Sequence, residues 1–297
     1  MESKASQSVS SEGKEGIGDN PLVSIITSVL NGIKYLEPCI QSVLNQSYPY
    51  IEHIFVDGGS TDGTLELLSS HRARHPERIR FISEPDKGAE DAWNKGWKIA
   101  RGEIFGWLGS DDMFEPGAIQ TVVEFFRANP DACFVFGGCN IINERGEVIG
   151  KVAVRDFNLE EAINDRCLVP APSAFYRREV IEKVGFMDTS IHSCDLDYWI
   201  RVGKVFEIYQ IETTLANFRH HKDSTSGSKE AYKMYPREVF IISRRYGGSL
   251  FSPCARRYYR MVIIERLRPI LGPIYPFIWK ALNILPAKIK HLIGLGW

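Results

Sequence analysis

The chain has 297 residues, of which 44% are hydrophobic and 25% are charged, and its formal net charge is −1. These values are typical of a globular protein with enough apolar residues for one large domain or two small ones. The near-neutral charge argues against a nucleic-acid partner. The six cysteines show no metal-ligand spacing, which suits reduced core thiols in the cytoplasm.

Strand and helix patterns alternate from residue 21 onward. Residues 1–20 are rich in Ser, Glu, Gly and Lys without an apolar core, which predicts a disordered tail and no signal peptide. Strands are then predicted over 22–29, 51–56, 79–82 and 104–108, each followed by apolar residues at helical spacing. This alternation predicts an α/β fold with a mainly parallel sheet and helices on both faces.

Polar residues follow the predicted strands, at the edge where ligands bind in parallel sheets. The second strand ends at Asp57 and a glycine-rich turn. That turn lacks the spacing of dinucleotide-binding and P-loop motifs, so a structural role is favoured for its glycines. Asp57 itself is predicted to accept a hydrogen bond from a nucleotide base or ribose. Asp86 and Lys87 follow the third strand.

Two adjacent carboxylates, Asp111 and Asp112, follow the fourth strand. They repel each other, and burial would raise the pKa of at least one of them unless a cation is present. Carboxylate oxygens suit Mg²⁺ or Mn²⁺, which commonly bridge protein carboxylates to substrate phosphates. The alternative is a helix cap, since Pro116 can open a helix, but two adjacent aspartates fit that role less well.

The chain resembles the family-2 glycosyltransferases, which are inverting enzymes with the GT-A fold, from about residue 21 to residue 228. Four ordered motifs carry the resemblance: VSIIT at 23–27, VDGGSTDGT at 56–64, DKGAEDAWNKG at 86–96 and SDD at 110–112. The third is similar to a branch of the family with the pattern D-K-G-x-x-D-A-x-N-K-G. Ala89 and Glu90 depart from the Ile-Tyr expected there. The fourth stands where the family has its metal-binding DXD element.

The resemblance implies a nucleotide-sugar donor, a UDP-sugar above all, and a divalent ion, Mn²⁺ or Mg²⁺. The residues that it assigns to the donor nucleotide are Thr27, Asp57, Asp86, Lys87 and Asp111. It assigns the metal to Asp112 and to His221, which lies in a loop, FRHHKDS at 218–224, similar to a family motif. A solvated loop is the alternative interpretation of His221.

An inverting transfer also needs a general base for the acceptor hydroxyl. The stretch HSCDLDYWIR at 192–201 is similar to the family pattern E-D-x-D-x-W-x-x-R, which implies that Asp195 is the catalytic base. Cys194 replaces the glutamate of that pattern, and Asp197 is the rival base. Asp195 could also cap a helix whose apolar residues pack inward.

The C-terminal part has a different character. From residue 250 onward eight Lys and Arg residues face a single acidic residue, Glu265, among many aliphatic and aromatic residues. No uncharged apolar run reaches the length of a membrane-spanning helix. The pattern predicts a helical, basic-amphipathic extension on an anionic membrane surface. The alternatives are a helix packed on the domain and a dimer interface.

We therefore predict three regions: a tail over 1–20, a GT-A domain over 21–228 and a membrane-associating segment over 229–297. The expected activity is metal-dependent, inverting sugar transfer to a lipid-linked or growing oligosaccharide for a surface polysaccharide, at the cytoplasmic face of the membrane. Two alternatives stay open at this point. One is a nucleotidyltransferase that makes a nucleotide sugar, and the other is an inactive, membrane-bound scaffold of the same fold.

Overall fold

A computed structural model describes residues 17–222, 224 and 229–272. The strands of this part are β1 (Val23–Val29), β2 (Ile51–Asp57), β3 (Ile79–Ser83), β4 (Ile104–Trp107), β5 (Met113–Phe114), β6 (Phe134–Ile142), β7 (Val148–Val152), β8 (Ala174–Arg177) and β9 (Ile208–Arg219). Its α-helices are α1 (Ile33–Leu44), α2 (Thr64–Arg74), α3 (Ala89–Ile99), α4 (Ala118–Ala128), α5 (Leu159–Asn164), α6 (Arg178–Val184), α7 (Cys194–Gly203), α8 (Lys229–Arg245) and α9 (Pro253–Leu271).

The strands form one mixed sheet in the order β3-β2-β1-β4-β8-β6-β9-β5, with β7 paired to β6. The first four strands are parallel to one another and match the four predicted strands to within one residue at an end. The other half is mostly antiparallel: β8 pairs antiparallel with β4 and β6, and β5 with β9, whereas β6 and β9 are parallel. The predicted α/β fold with helices on both faces is confirmed.

The sheet is buried on both faces. Successive side chains of a strand point to opposite sides, so one strand contributes to an apolar cluster on each face. Ile25 of β1 packs in one cluster with Val122 and Phe126 of α4. Its neighbour Ile26 packs in a second cluster with aromatic residues of α3, β4 and α7. This double burial explains why β1, β2 and β4 are nearly continuous apolar runs.

Helix α8 and the first turn of helix α9 pack on the rest of the fold. Val239 and Ile242 of α8 and Cys254 of α9 form a buried cluster with Leu196 and Ile200 of α7. Within the described residues, no helix combines the length and the apolar character needed to cross a membrane. Residues 1–16 of the predicted tail over 1–20, and the last part of the predicted membrane segment, 273–297, lie outside the described residues. The division of the chain at residue 229 stays a prediction.

A side chain at Gly106 of β4 is expected to destabilise the fold, because the neighbouring side chains leave no room for it. A Cβ atom at this position would lie 2.6 Å from Cε1 of Phe175 and 3.1 Å from Cδ1 of Ile25. We expect Gly106→Ala to lower the free energy of unfolding by about 1–3 kcal/mol, as overpacking of a core does. Urea denaturation measures the loss. Gly18→Ala, which meets nothing within 4 Å, is the control and should leave stability unchanged.

Candidate active site

The polar residues at the carboxyl ends of the parallel strands meet at one edge of the sheet. Asp57, the last residue of β2, is paired in register with Val29 of β1 and Ser83 of β3. Its carboxylate accepts hydrogen bonds from the N–H groups of Gly59 (3.0 Å) and Ser60 (3.1 Å) and from the Ser83 hydroxyl (2.7 Å). Burial alone would raise the pKa of Asp57, but these hydrogen bonds outweigh it and leave the pKa below its ordinary value.

Asp86 lies directly over Gly58, at the same edge. A Cβ atom on Gly58 would be 2.7 Å from Asp86 Oδ2, so the close approach depends on the absence of a side chain there. Asp86 Oδ1 also accepts a hydrogen bond from the Gly88 N–H (3.0 Å). Lys87 is exposed beside it. Thr27 is fully buried, with its hydroxyl 2.9 Å from Nε2 of His53.

Asp111 and Asp112 stand in the turn between β4 and β5, around Gly109. A Cβ atom on Gly109 would lie 2.8 Å from Oδ1 of Asp111 and 2.7 Å from Oδ2 of Asp112. The two carboxylates therefore converge over a glycine that leaves this space open. Asp112 is only 5% exposed. Burial, followed by the charge of Asp111, raises the pKa of Asp112 well above its ordinary value.

Arg219, the last residue of β9, and His221 shortly after it contact this pair of carboxylates. The Arg219 N–H donates to Asp112 Oδ1 (2.8 Å), and its Nε donates to the Asp111 carbonyl (2.8 Å). His221 places its Nε2 2.8 Å from Oδ2 of Asp111. The Tyr35 ring packs on both, 4.9 Å from the His221 ring and 4.7 Å from the Arg219 guanidinium. Tyr35 and Arg219 were missed by the sequence analysis, because no local pattern indicates their contacts.

The donor atoms around Gly109 suit a divalent cation. Two carboxylates and one imidazole are the ligand types that Mn²⁺ accepts, and a cation would offset the repulsion between Asp111 and Asp112. Among the described residues, however, no group of three or more His, Cys, Asp or Glu side chains is arranged to hold a metal ion.

Asp195 lies in the first turn of α7 and is partly buried. The N-cap position of the helix is Ser193, so Asp195 does not occupy it. Burial, followed by the carboxylates of Glu90 and Glu238, raises the pKa of Asp195, against a hydrogen bond from the Leu196 N–H. Glu90 is a residue that the sequence analysis noted only as a departure from a motif, and Glu238 was missed.

Asp197, the rival of Asp195, is in a different situation. It is 1% exposed and accepts hydrogen bonds from Arg201 (2.9 Å), Arg245 (3.1 Å) and the Tyr246 hydroxyl (2.7 Å). Both of its carboxylate oxygens are therefore occupied by cationic or hydroxyl donors. This network ties α7 to α8.

One loop connects the two groups of carboxylates. Asp86, which lies over Gly58, and Glu90, which interacts with Asp195, are only four residues apart at the start of α3. Glu90 also interacts with the thiol of Cys194. The end of the loop and the first turn of α3 therefore link the strand ends of β2 and β3 to the first turn of α7.

Comparison with protein families and sequences gives a consistent result. Residues 24–185, just over half of the chain, match the family "Glycosyl transferase family 2". Over 70% of its length the chain is 31% identical to chondroitin synthase of Escherichia coli, of which it covers 30%. An uncharacterized glycosyltransferase of Nostoc sp. is 32% identical over 54% of the chain, which covers 52% of it. The chain thus spans about a third of the length of the first relative and about half of the length of the second.

Solved structures share the fold at low sequence identity. A mannosyltransferase from Pyrobaculum calidifontis, in complex with GDP-Man and Mn²⁺, superimposes with a TM-score of 0.63 at 15% identity, covering 93% of this chain and 84% of the other. TarS 1-349 of S. aureus, in complex with UDP-GlcNAc, gives a TM-score of 0.60 at 13% identity, covering 92% and 84%.

Asp57 is expected to stabilise the fold through its ionised form. Replacing it in Asp57→Asn should lower the free energy of unfolding at pH 7 by about 1–3 kcal/mol, because hydrogen bonds to a buried charge are lost. Since its pKa is lowered by folding, this contribution is complete above the ordinary aspartate pKa of about 4. It disappears as the pH falls through the lower pKa of the folded state.

Urea denaturation at a series of pH values measures this dependence. Asp131→Asn, at an exposed position, is the matched control and should have no effect at any pH. A stability difference for Asp57→Asn that stays constant down to acidic pH would contradict the role assigned to the Asp57 charge.

Proposed function

Because the chain belongs to the family-2 glycosyltransferases, we propose that it is a metal-dependent, inverting enzyme of the branch indicated by the DKGAEDAWNKG motif. The proposed donor is a nucleotide sugar, a UDP-sugar above all. The proposed acceptor is a hydroxyl of a lipid-linked or growing oligosaccharide in surface polysaccharide synthesis. The observation that carries the proposal is the convergence of Asp111 and Asp112 over Gly109, with His221 bound to Asp111.

The metal is proposed to bind at Asp112 and His221, beside Asp111. The buried, raised-pKa carboxylate of Asp112 supports this, because a cation is the partner that such a group lacks. His221 Nε2 lies 2.8 Å from Asp111 Oδ2, so a metal at this nitrogen would replace that contact, whereas the buried Nδ1 has no hydrogen-bond partner among the described residues. When bound, Mn²⁺ or Mg²⁺ would neutralise the charge that develops on the departing nucleoside diphosphate.

The donor nucleotide is proposed to bind at the strand ends, among Thr27, Asp57, Asp86, Lys87 and Asp111. The lowered pKa of Asp57 supports its role, because an ionised carboxylate is the stronger acceptor for base or ribose donors. The closeness of Asp86 to the Gly58 backbone places a second carboxylate at the same edge. The exposed Lys87 can reach a diphosphate in solvent.

Asp195 is proposed to remove the proton from the acceptor hydroxyl, whose oxygen then attacks the anomeric carbon in a single displacement. A carboxylate whose pKa is raised is a better general base near neutral pH than an ordinary one. Asp197 is a poorer candidate, since two arginines and a tyrosine hydroxyl occupy its oxygens.

Substitution of Asp195 tests its proposed role as the base. Asp195→Asn should keep donor binding unchanged and lower the turnover of sugar transfer by about 10²- to 10⁴-fold, the usual contribution of a general base. Nucleoside diphosphate release and product formation measure the turnover. Asp156→Asn, at an exposed position before α5, is the control. Near-normal turnover of Asp195→Asn would move the base to another residue.

One titration series tests the metal and the donor together. Isothermal titration with UDP-, GDP- and dTDP-sugars, each with and without Mn²⁺, should give binding of one donor that requires the ion. Asp112→Asn should remove the effect of Mn²⁺ on that binding. Release of pyrophosphate from a nucleoside triphosphate and a sugar phosphate would instead indicate a nucleotidyltransferase. No binding of any donor to folded protein would favour the scaffold.

The proposed contact with the membrane has a visible counterpart on α9. Its exposed apolar side chains recur every three or four residues, so they lie on one face: Tyr259, Ile263, Leu267 and Ile270. We call these four residues the α9 stripe. The exposed Arg256 and Arg266 lie on the same face, and Glu265 does not. On the other side, Arg257 binds Asp165 of the domain (2.6 Å), which leaves the stripe facing solvent.

Charge decides which surface fits this stripe. A second copy of the stripe would bring arginines against arginines. The segment 273–297 carries three lysines and no acidic residue, so it would also repel the stripe. An anionic lipid surface attracts both the stripe and that segment, and it accepts the apolar side chains as well. We therefore propose the cytoplasmic membrane face as the partner.

Vesicle co-sedimentation of the full chain tests this surface. Ile263→Glu combined with Ile270→Glu should reduce binding to phosphatidylglycerol-containing vesicles by roughly 100-fold or more, because two exposed isoleucines that would become buried in the lipid are lost. Ile149→Glu is the matched control, since Ile149 on β7 is 58% exposed and Ile263 is 56% exposed. Unchanged binding of the double variant would overturn the proposal, as would a wild-type dimer that this variant converts to a monomer.

A further inference from the structure

Helix α8 holds the residues that come immediately before Asp195. The Glu238 carboxylate accepts hydrogen bonds from the His192 N–H (3.1 Å), the Ser193 N–H (3.0 Å) and the Ser193 hydroxyl (2.8 Å). Ser193 is the N-cap of α7 and is 8% exposed, but its own side chain makes no capping hydrogen bond within the helix. Glu238 therefore anchors the start of α7 from a different element.

The same helix also binds Asp197, two residues after Asp195. Arg245, the last residue of α8, and Tyr246, which follows it, donate to Oδ1 of Asp197 at 3.1 Å and 2.7 Å. Between these polar contacts, Val239 and Ile242 pack in the buried cluster with residues of α7. The first turn of α7 is thus fixed to α8 on both sides of Asp195.

This anchoring has a physical consequence for Asp195. The first turn of a helix is prone to fraying, because its N–H groups lack partners within the helix. A carboxylate near a helix N-terminus is also favoured by the helix dipole, so Glu238 is well placed to stabilise this turn. A displacement of a reacting group by about 1 Å can lower a rate by about 100-fold.

We propose that α8 is the element that positions Asp195 for catalysis, and that Glu238 is its principal contact. This inference rests on the proposed function, in which Asp195 is the base. Glu238 binds the backbone next to Asp195, so it is a positioning residue. It also adds a negative charge next to Asp195.

Several groups face Asp195 and bear on the pH test. The carboxylates are Glu90 of α3 and Glu238 of α8, and the neutral groups nearby are Cys194, Cys167 and Tyr235. Glu238→Gln keeps an oxygen that can accept the backbone hydrogen bonds but removes one charge. Glu238→Ala removes both. The pair of variants therefore separates anchoring from electrostatics.

The experiment uses the full chain with wild type, Glu238→Gln, Glu238→Ala, Asp195→Asn and the control Glu265→Gln. Hydrogen exchange is measured at the amides of residues 192–197, and turnover and donor affinity are measured with the donor selected by titration. Glu238→Ala should exchange faster at His192 and Ser193 and lose roughly 10- to 100-fold in turnover, with unchanged donor affinity. Glu238→Gln should keep most of the turnover.

The pH profile of kcat/KM gives the readout that a purely structural role would not change. In Glu238→Gln its acidic limb should move to lower pH, because one charge that raises the pKa of Asp195 is gone. Unchanged exchange at His192 and Ser193 in Glu238→Ala would overturn the proposal, and so would an unmoved acidic limb in Glu238→Gln. If the wild type transfers no sugar, the proposed function fails, and the exchange data still decide the positioning role.

Discussion

The mutual repulsion of Asp111 and Asp112 at the end of a buried strand is the constraint on which the rest of this site depends. Two adjacent carboxylates cannot both be ionised there at low cost without donors or a cation nearby. Within the protein, the Arg219 N–H donates to Asp112 and the His221 ring contacts Asp111, and both contacts offset the repulsion. Both lie at the end of β9, which runs beside β6 and reaches this edge through its pairing with β5. The second half of the sheet thus completes a site that the parallel half begins.

The loop before α3 joins two chemical tasks. At one end Asp86 lies over the Gly58 backbone, and four residues later Glu90 interacts with Asp195. In the proposed mechanism the first contact belongs to the donor side and the second to the acceptor side. Only four residues therefore separate a carboxylate at the proposed donor site from a carboxylate that interacts with the proposed base.

The two C-terminal helices have different surroundings. Helix α8 packs inward and binds α7 on both sides of Asp195 through Glu238, Arg245 and Tyr246. Helix α9 starts in the same buried cluster through Cys254 and then presents its apolar stripe to solvent. The sequence left three interpretations open for this region: contact with a membrane, packing on the domain and a dimer interface. Packing on the domain is observed for α8 and for the start of α9, and contact with a membrane is the proposal for the exposed stripe of α9.

The sequence by itself determined the parallel half of the sheet and the position of Asp57, Asp111 and Asp112 at its strand ends. Local periodicity is sufficient there, because strands buried on both faces are apolar runs and their polar residues collect at the carboxyl edge. Only the tertiary structure decided the rest. The contact of His221 with Asp111 joins residues 110 positions apart, and that of Glu238 with Ser193 joins residues 45 positions apart. The tertiary structure also decided that Asp195 lies after the N-cap of α7 and that Asp197 accepts a hydrogen bond from Arg245 of α8. Such contacts result from the packing of whole elements, to which no local pattern of residues corresponds.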